Sequence, residues 1–210
     1  MAAGQDLTAG LAEERVEEHV DGRTLRRTRN RTAVIAALLE IIREGNLRPG
    51  ASEIADRAGV SHRSIFRYFD DLDDLVRTAI DHAFEQAGPM ADIPDIGSGS
   101  FDERLTGFID ARLALFESVD GTMQLARMRA PSIPSIDEGI AEIAVLFENQ
   151  IAEHFAQELA AVDEGDRGLL VDGVLVLTSY DSFTIHRRLL DHDIDRIRAA
   201  WLCALGAMLT

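Results

Sequence analysis

The chain has 210 residues, 46% of them apolar, enough for one large domain or two small ones with a real core. Its single cysteine, Cys203, excludes an internal disulfide and a cysteine-based zinc site. No stretch reads as approaching the roughly 18 apolar residues of a membrane span, and residues 1–22 lack the apolar run of a signal peptide, so a cytoplasmic protein with no membrane partner is expected.

The net charge of −16 argues against a nucleic-acid partner, but its distribution reverses that. Between Arg23 and Arg67 ten Arg stand against four acids, a local +6; the remainder carries 11 Arg and 33 acids, a −22. A local basic patch, rather than the total, is the electrostatic footprint of nucleic-acid binding. All 21 basic residues are Arg, whose planar fork fits guanine edges and phosphates.

In chain order, residues 1–23 read as an acidic, disordered tail, with six acids and one Arg before residue 23. The basic arm Arg23–Arg31 follows, with Arg26, Arg27 and Arg29 placed to meet phosphates or a minor groove. Ile35, Leu38, Leu39 and Ile42 then fall at helical spacing, and Gly45 stops that helix. Residues 51–70 read as two short helices joined by a tight turn. Ile54, Ala55 and Ala58 give the first an apolar face, Gly59 supplies a left-handed C-cap, and Ser61 suits the next N-cap. In the second helix Ile65 and Phe69 face inward, four residues apart. That leaves His62, Arg63, Ser64, Arg67 and Tyr68 outside, a set suited to the DNA major groove.

Leu72, Leu75, Val76, Ala79, Ile80 and Ala83 predict a fourth amphipathic helix, ended by Gly88-Pro89. Residues 88–100 read as a linker, and a fifth helix spans about 101–118. A short segment from Gly121 carries Met123 and Met128, and Pro131 and Pro134 break the chain before a long helix reaching Leu159. Asp172-Gly173 between apolar runs is a hairpin signal, but two such strands would have no sheet to join. One long buried helix over about 166–190 is the better reading, followed by a turn capped by Asp193 and a last helix from Ile194 to Met208. Phe108, Arg112, Phe116, Met123, Met128, Phe147, Phe155, Tyr180 and Phe183 point into this C-terminal helical half, where plain core is the simplest reading. Val174, Thr178, Trp201 and Leu205, on the last two helices, are the expected homodimer interface. No phosphate loop, nucleophile elbow or metal-protease motif appears, so the expectation is no enzyme, no cofactor and no metal.

The motif Ile54-Ala55, Ala58-Gly59-Val60-Ser61 and Phe66-Arg-Tyr-Phe69, with Leu75 beyond it, resembles the DNA-binding domain of the TetR family of bacterial transcriptional regulators. The resemblance covers about residues 31–80. It implies an all-α protein with a three-helix, helix-turn-helix DNA-binding domain over 24–87 and an effector-binding and dimerisation domain over 88–210. It also implies a repressor that binds palindromic double-stranded operator DNA as a homodimer and is released by a small lipophilic effector, held in a C-terminal pocket for which Phe108, Arg112, Phe116, Met123, Met128, Phe147, Phe155, Tyr180 and Phe183 are the lining candidates. Arg26, Arg27, Arg29, Ser61, His62, Arg63, Ser64, Arg67 and Tyr68 are the DNA-contact candidates. Gly50 stands where such proteins usually carry Thr or Ser, Phe66 where they carry Tyr, and Leu72 where they carry Lys. Two rival expectations stand beside it: a ligand-independent DNA-binding dimer with a filled C-terminal scaffold, and an interaction protein that has lost DNA binding.

Overall fold

The computed structural model describes residues 6–210, with side chains described from residue 24 onward. Residues 1–5 of the acidic tail lie outside the described residues, as do the side chains of 6–21 and 23. Contacts divide the chain between Ala79 and Ile80 into two units. The sequence places the boundary eight residues later, at Gly88.

In the first unit, α1 spans Asp6–Arg43, α2 Ala51–Ala58 and α3 His62–Tyr68, and α4 begins at Leu72. The basic arm is therefore helical, a continuation of the core helix rather than a separate extended segment. The local sequence accounts for this: Asp6–Arg43 contains no Pro and is rich in Ala, Leu, Glu and Arg, all strong helix formers. Val34, Ile35, Leu38, Ile41 and Ile42 of α1 are buried, as are Ile54, Ala55, Ile65, Phe69 and Leu75. Arg57 reaches back from α2 and donates twice to Glu44, just past the end of α1, both at 2.8 Å. The tight turn depends on Gly59, whose φ of 67° is left-handed and whose N–H bonds Asp56 O.

The acidic run before α4 is a cap. Asp71 Oδ1 accepts from Asp74 N at 2.8 Å, and Asp74 Oδ2 accepts from Asp70 N at 3.2 Å. Carboxylates there also suit the positive end of the helix. Helix α4 runs on through Pro89 to Ala91, because Phe84, Ala87 and Ala91 continue its apolar stripe where the sequence suggested a stop.

The second unit holds the rest of α4, then α5 (Phe101–Arg129), α6 (Pro134–His154), α7 (Ala156–Ala160), α8 (Glu164–Leu177), α9 (Tyr180–Thr184), a π-helical turn (Ile185–Leu189) and α10 (Ile194–Met208). The described residues contain no strand, and the fold is all-α. Ser100 and Glu103 close a capping box on α5, with Ser100 N donating to Glu103 Oε2 at 2.9 Å. Helix α5 does not stop near residue 118: it passes through Gly121, because Val119, Thr122, Met123 and Ala126 keep one buried stripe.

Residues 168–177 are helical, not a hairpin. The expected single helix is interrupted, though. Thr178 Oγ1 bonds Val174 O at 2.8 Å, and Ser179 Oγ accepts from Ser182 N at 3.1 Å, so two hydroxyls end α8 and cap α9. Asp193 caps α10 as expected, accepting from Arg196 N at 2.8 Å.

Trp201, Phe108, Phe155, Ile109, Val174 and Leu205 lie in one core. Burial overturns the interface expected from sequence: Val174, Trp201 and Leu205 are fully inside the unit and Thr178 is 2% exposed. These helices carry apolar residues on two sides, and the largest side chains turned inward. What they leave out is Leu169, Val176 and Leu189, at 68%, 70% and 78% exposure. By length and composition the run Glu164–Leu189, with a mean hydropathy of 1.3 over its most apolar 18 residues, could cross a bilayer, contrary to the sequence reading. Val171, Val174, Tyr180 and Phe183 on this run belong to the core, so its inner face is that of a packed helix.

Candidate nucleic-acid interface and ligand cavity

Helix α3 is fixed by its inner face and presents the other. Ile65 and Phe69 are buried, while Ser61, His62, Arg63 and Arg67 are exposed and Ser64 and Tyr68 half-buried. Ser61 sits at the N-cap with extended backbone, but its hydroxyl pairs with Ser64 Oγ at 2.8 Å rather than with a backbone N–H. Arg63 projects freely along the exposed face. Arg67 folds back, donating to Tyr68 Oη at 2.6 Å with its guanidinium 4.9 Å above the Tyr68 ring.

Tyr68 joins this helix to the arm. Its hydroxyl also accepts from Asn30 Nδ2 at 3.2 Å, and Arg31 stacks 4.9 Å over Phe69. Burial raises the phenol pKa, but the two donors outweigh it and the net direction is down. With two donors accepted, the hydroxyl hydrogen remains to be given to an outside acceptor such as a phosphate. Arg26, Arg27 and Arg29 are exposed along α1, so the arm offers a helical row of cations rather than an extended strand for a minor groove. Gly50 caps α2 with no side-chain bond, as the sequence implied.

The second unit contains a cavity of about 490 Å³. Its walls come from α4 (Phe84, Ala87, Ala91), α5 (Leu115, Phe116, Val119, Met123), α6 (Ile143, Phe147) and the α8–α9 break (Leu175, Tyr180). The polar side chains at its edge are already engaged. Arg127 pairs with Asp181 at 2.8 Å, Ser179 Oγ donates to Val176 O, and Tyr180 Oη donates to Asp120. Burial first, then Asp120, hold the Tyr180 phenol well above its ordinary range, so it stays protonated.

A second, more polar recess of about 600 Å³ lies among Asp95, Ser98, Glu103, Arg104 and His154. Its polar groups serve one another. Arg104 is buried and donates to Glu158 and to His154 O at 2.8 Å. His154 Nδ1 accepts from Gly97 N at 3.1 Å, and Nε2 lies 3.0 Å from Arg104 O, which makes the neutral Nε2–H form the one that fits. Burial holds that imidazole below its ordinary pKa. Among the described residues no group of three or more His, Cys, Asp or Glu could hold a metal ion.

Residues 34–79, which include the helix-turn-helix, match the family model described as bacterial regulatory proteins, tetR family. Over these residues the chain carries a TetR-family DNA-binding domain. This is the domain of DNA-binding transcriptional regulators, a family that is not enzymatic. The fold agrees with that of solved bacterial proteins over most of their length. A transcriptional regulator from Rhodococcus sp. Rha1 superposes with a TM-score of 0.66 at 16% identity, covering 85% of this chain and 95% of its own. A tetR-family regulator from Streptomyces coelicolor gives 0.68 at 15% identity, covering 85% and 79%. A multidrug binding protein, EbrR, solved in complex with imidazole, gives 0.56 at 21% identity, covering 88% and 90%. No curated protein matches the sequence.

Within this TetR-like frame the nine ligand candidates divide. Phe116, Met123, Phe147 and Tyr180 line the cavity. Phe108 and Phe155 do not: both are fully buried, packed edge to face with ring centroids 5.3 Å apart. Phe183 is also core, Met128 is half-buried off the cavity, and Arg112 lies behind Phe147 rather than in the wall. Sequence reasoning missed Ala91 because it ended α4 at Gly88-Pro89, Phe84 and Ala87 because it assigned α4 to the DNA-binding domain, and Leu115 and Val119 because nothing in their spacing separates wall from core.

Proposed function

We propose that the protein is a homodimeric repressor which holds palindromic operator DNA through α3 and lets go when a small lipophilic effector fills the cavity. The observation that carries this reading is the dual use of α4. Leu75 and Val76, near its start, are buried in the first unit, and Phe84, Ala87 and Ala91, near its end, line the cavity. A ligand that displaces the end of α4 therefore acts on the helix whose start belongs to the DNA-binding unit. It need favour the non-binding arrangement by only a few kcal/mol to release DNA. An open apolar cavity speaks against a filled, ligand-independent scaffold, and the exposed Arg63 and Arg67 speak against a protein that has lost DNA binding. The resemblance in fold to a multidrug binding protein supports a lipophilic occupant. On α3, Arg63 and Arg67 are assigned to bases and Tyr68 to a phosphate, with Arg26, Arg27 and Arg29 adding phosphate contacts.

The exposed row Leu169, Val176, Ile185, Leu189 and Leu190 replaces the buried residues as the dimer surface. Reading two successive major grooves of an operator would require the two α3 helices of such a dimer to lie roughly 34–36 Å apart, one turn of DNA. Ala87→Trp tests the cavity. The variant is expected to bind DNA as the parent does but to stop responding to lipophilic ligands that release the parent. A variant released by the same ligands at the same concentrations would reject the cavity as the effector site.

A further inference from the structure

Arg112 is a buried charged group in the second unit that the repressor reading leaves unused. It is 3% exposed and sits on α5, one turn before the cavity residue Phe116. Its guanidinium lies 3.5 Å from the centroid of Phe147 and 5.2 Å from that of Phe108. Its hydrogen bond is long and to a neutral group, Nη2 donating to Gln150 Oε1 at 3.3 Å. No carboxylate among the described residues pairs with it. Arg104, eight residues earlier and equally buried, shows the ordinary solution, a two-point pair with Glu158. Burial pushes the Arg112 pKa down to about 9, which still leaves it charged at neutral pH. A buried guanidinium without a counter-ion is costly, and a structure keeps one where a use offsets that cost.

Phe147 stands between this cation and the cavity: it lines the cavity and its ring is stacked against the guanidinium. The remaining polar groups at the cavity edge already have partners. We propose that Arg112 is an anion subsite of the cavity, and that the effector is a lipophilic carboxylate whose head group pairs with Arg112 when Phe147 turns aside. The proposal rests on the reading of the cavity as the effector site. The chemistry fits a carboxylate because the planar fork of Arg accepts one in two parallel bonds while the tail keeps the apolar walls. The subsite also reaches α4. Gln150 Nε2 donates to Ala91 O, at the end of α4, at 2.9 Å, while its Oε1 accepts from Arg112. A carboxylate on Arg112 competes with Gln150 Oε1 for the guanidinium and so loosens the side chain whose amide N–H holds Ala91 O.

The test compares decanoate, decanol and decylammonium, measured by calorimetry against the full-length protein and against Arg112→Met. The proposal requires the parent to bind decanoate roughly ten-fold or more tightly than the other two. Arg112→Met should lose that preference and still bind decanol. Equal binding of decanol and decanoate by the parent overturns the anion subsite while leaving the cavity reading intact. Binding of none of the three overturns both. A preference that survives Arg112→Met also overturns it. Carbon-13 NMR of carboxyl-labelled decanoate on the parent protein needs no variant to fold. Pairing with Arg112 lowers the bound carboxyl pKa, whereas apolar burial alone raises it, and a raised value contradicts the proposal.

Discussion

In the first unit the site is a surface, and in the second it is a hole. Arg63 and Arg67 lie on the outside of a seven-residue helix whose inner face, Ile65 and Phe69, holds it in place. The cavity in the second unit has walls from α4, α5, α6 and the α8–α9 break, residues far apart in sequence. A surface site tolerates change at its functional residues because they support nothing else. A cavity site does not, since Phe116 and Phe147 also pack against the core around Trp201. Function and stability should therefore separate in the first unit and remain joined in the second.

The largest expected effect is in the second unit. Trp201 is fully buried and meets Phe116 edge to face, so Trp201→Ala should lower stability by about 3–5 kcal/mol. Urea unfolding followed by circular dichroism reads this directly. A loss below about 1 kcal/mol would place Trp201 outside a packed core, contrary to its burial.

Arg63→Ala sharpens the other side of the comparison. Its cost should fall on DNA affinity alone, about 1–3 kcal/mol and concentrated at particular base pairs. The unfolding midpoint should not move, because the side chain is exposed. A uniform loss on specific and random DNA would make Arg63 a phosphate contact instead.

The same contrast explains what could be read from sequence. The turn was legible because Gly59 and Ser61 are local signals, and so was the inward pair Ile65 and Phe69. The C-terminal half is made of helices with apolar residues on more than one side, where spacing cannot say which face is core, wall or partner surface. That is why Val174 and Trp201 read as an interface and proved to be core, with Val176 and Leu189 outside. Gly121 and Pro89 read as helix stops, and in both places a continuing apolar stripe outweighed the breaker. The capping box of Ser100 and Glu103 was available at the right spacing and went unread. Arg112 stood out in sequence as a charge on an apolar face, but its lack of an acidic partner is visible only in three dimensions.

The smallest effect expected is a pH dependence confined to the second unit. His154 is buried and neutral, and its folded pKa lies below the unfolded one, chiefly through burial. The unfolded chain then binds more protons as pH falls, so stability is complete above about pH 6.5 and declines below it. His154→Gln should flatten that part of the profile. The buried Arg104–Glu158 pair acts in a separate, lower range, because Arg104 holds the Glu158 carboxyl below its usual pKa. Among the described residues of the first unit no histidine is buried, so its stability should not change in this interval. An unchanged profile in His154→Gln would assign the decline to another group.

Selection of bound duplexes from a random DNA pool, using the full-length protein, tests the account most directly. The account predicts an inverted repeat with half-sites about one helical turn apart, and loss of preference at defined positions in Arg63→Ala. Absence of any enriched sequence, or a single half-site with no symmetric partner, would contradict a two-fold regulator that reads DNA through α3.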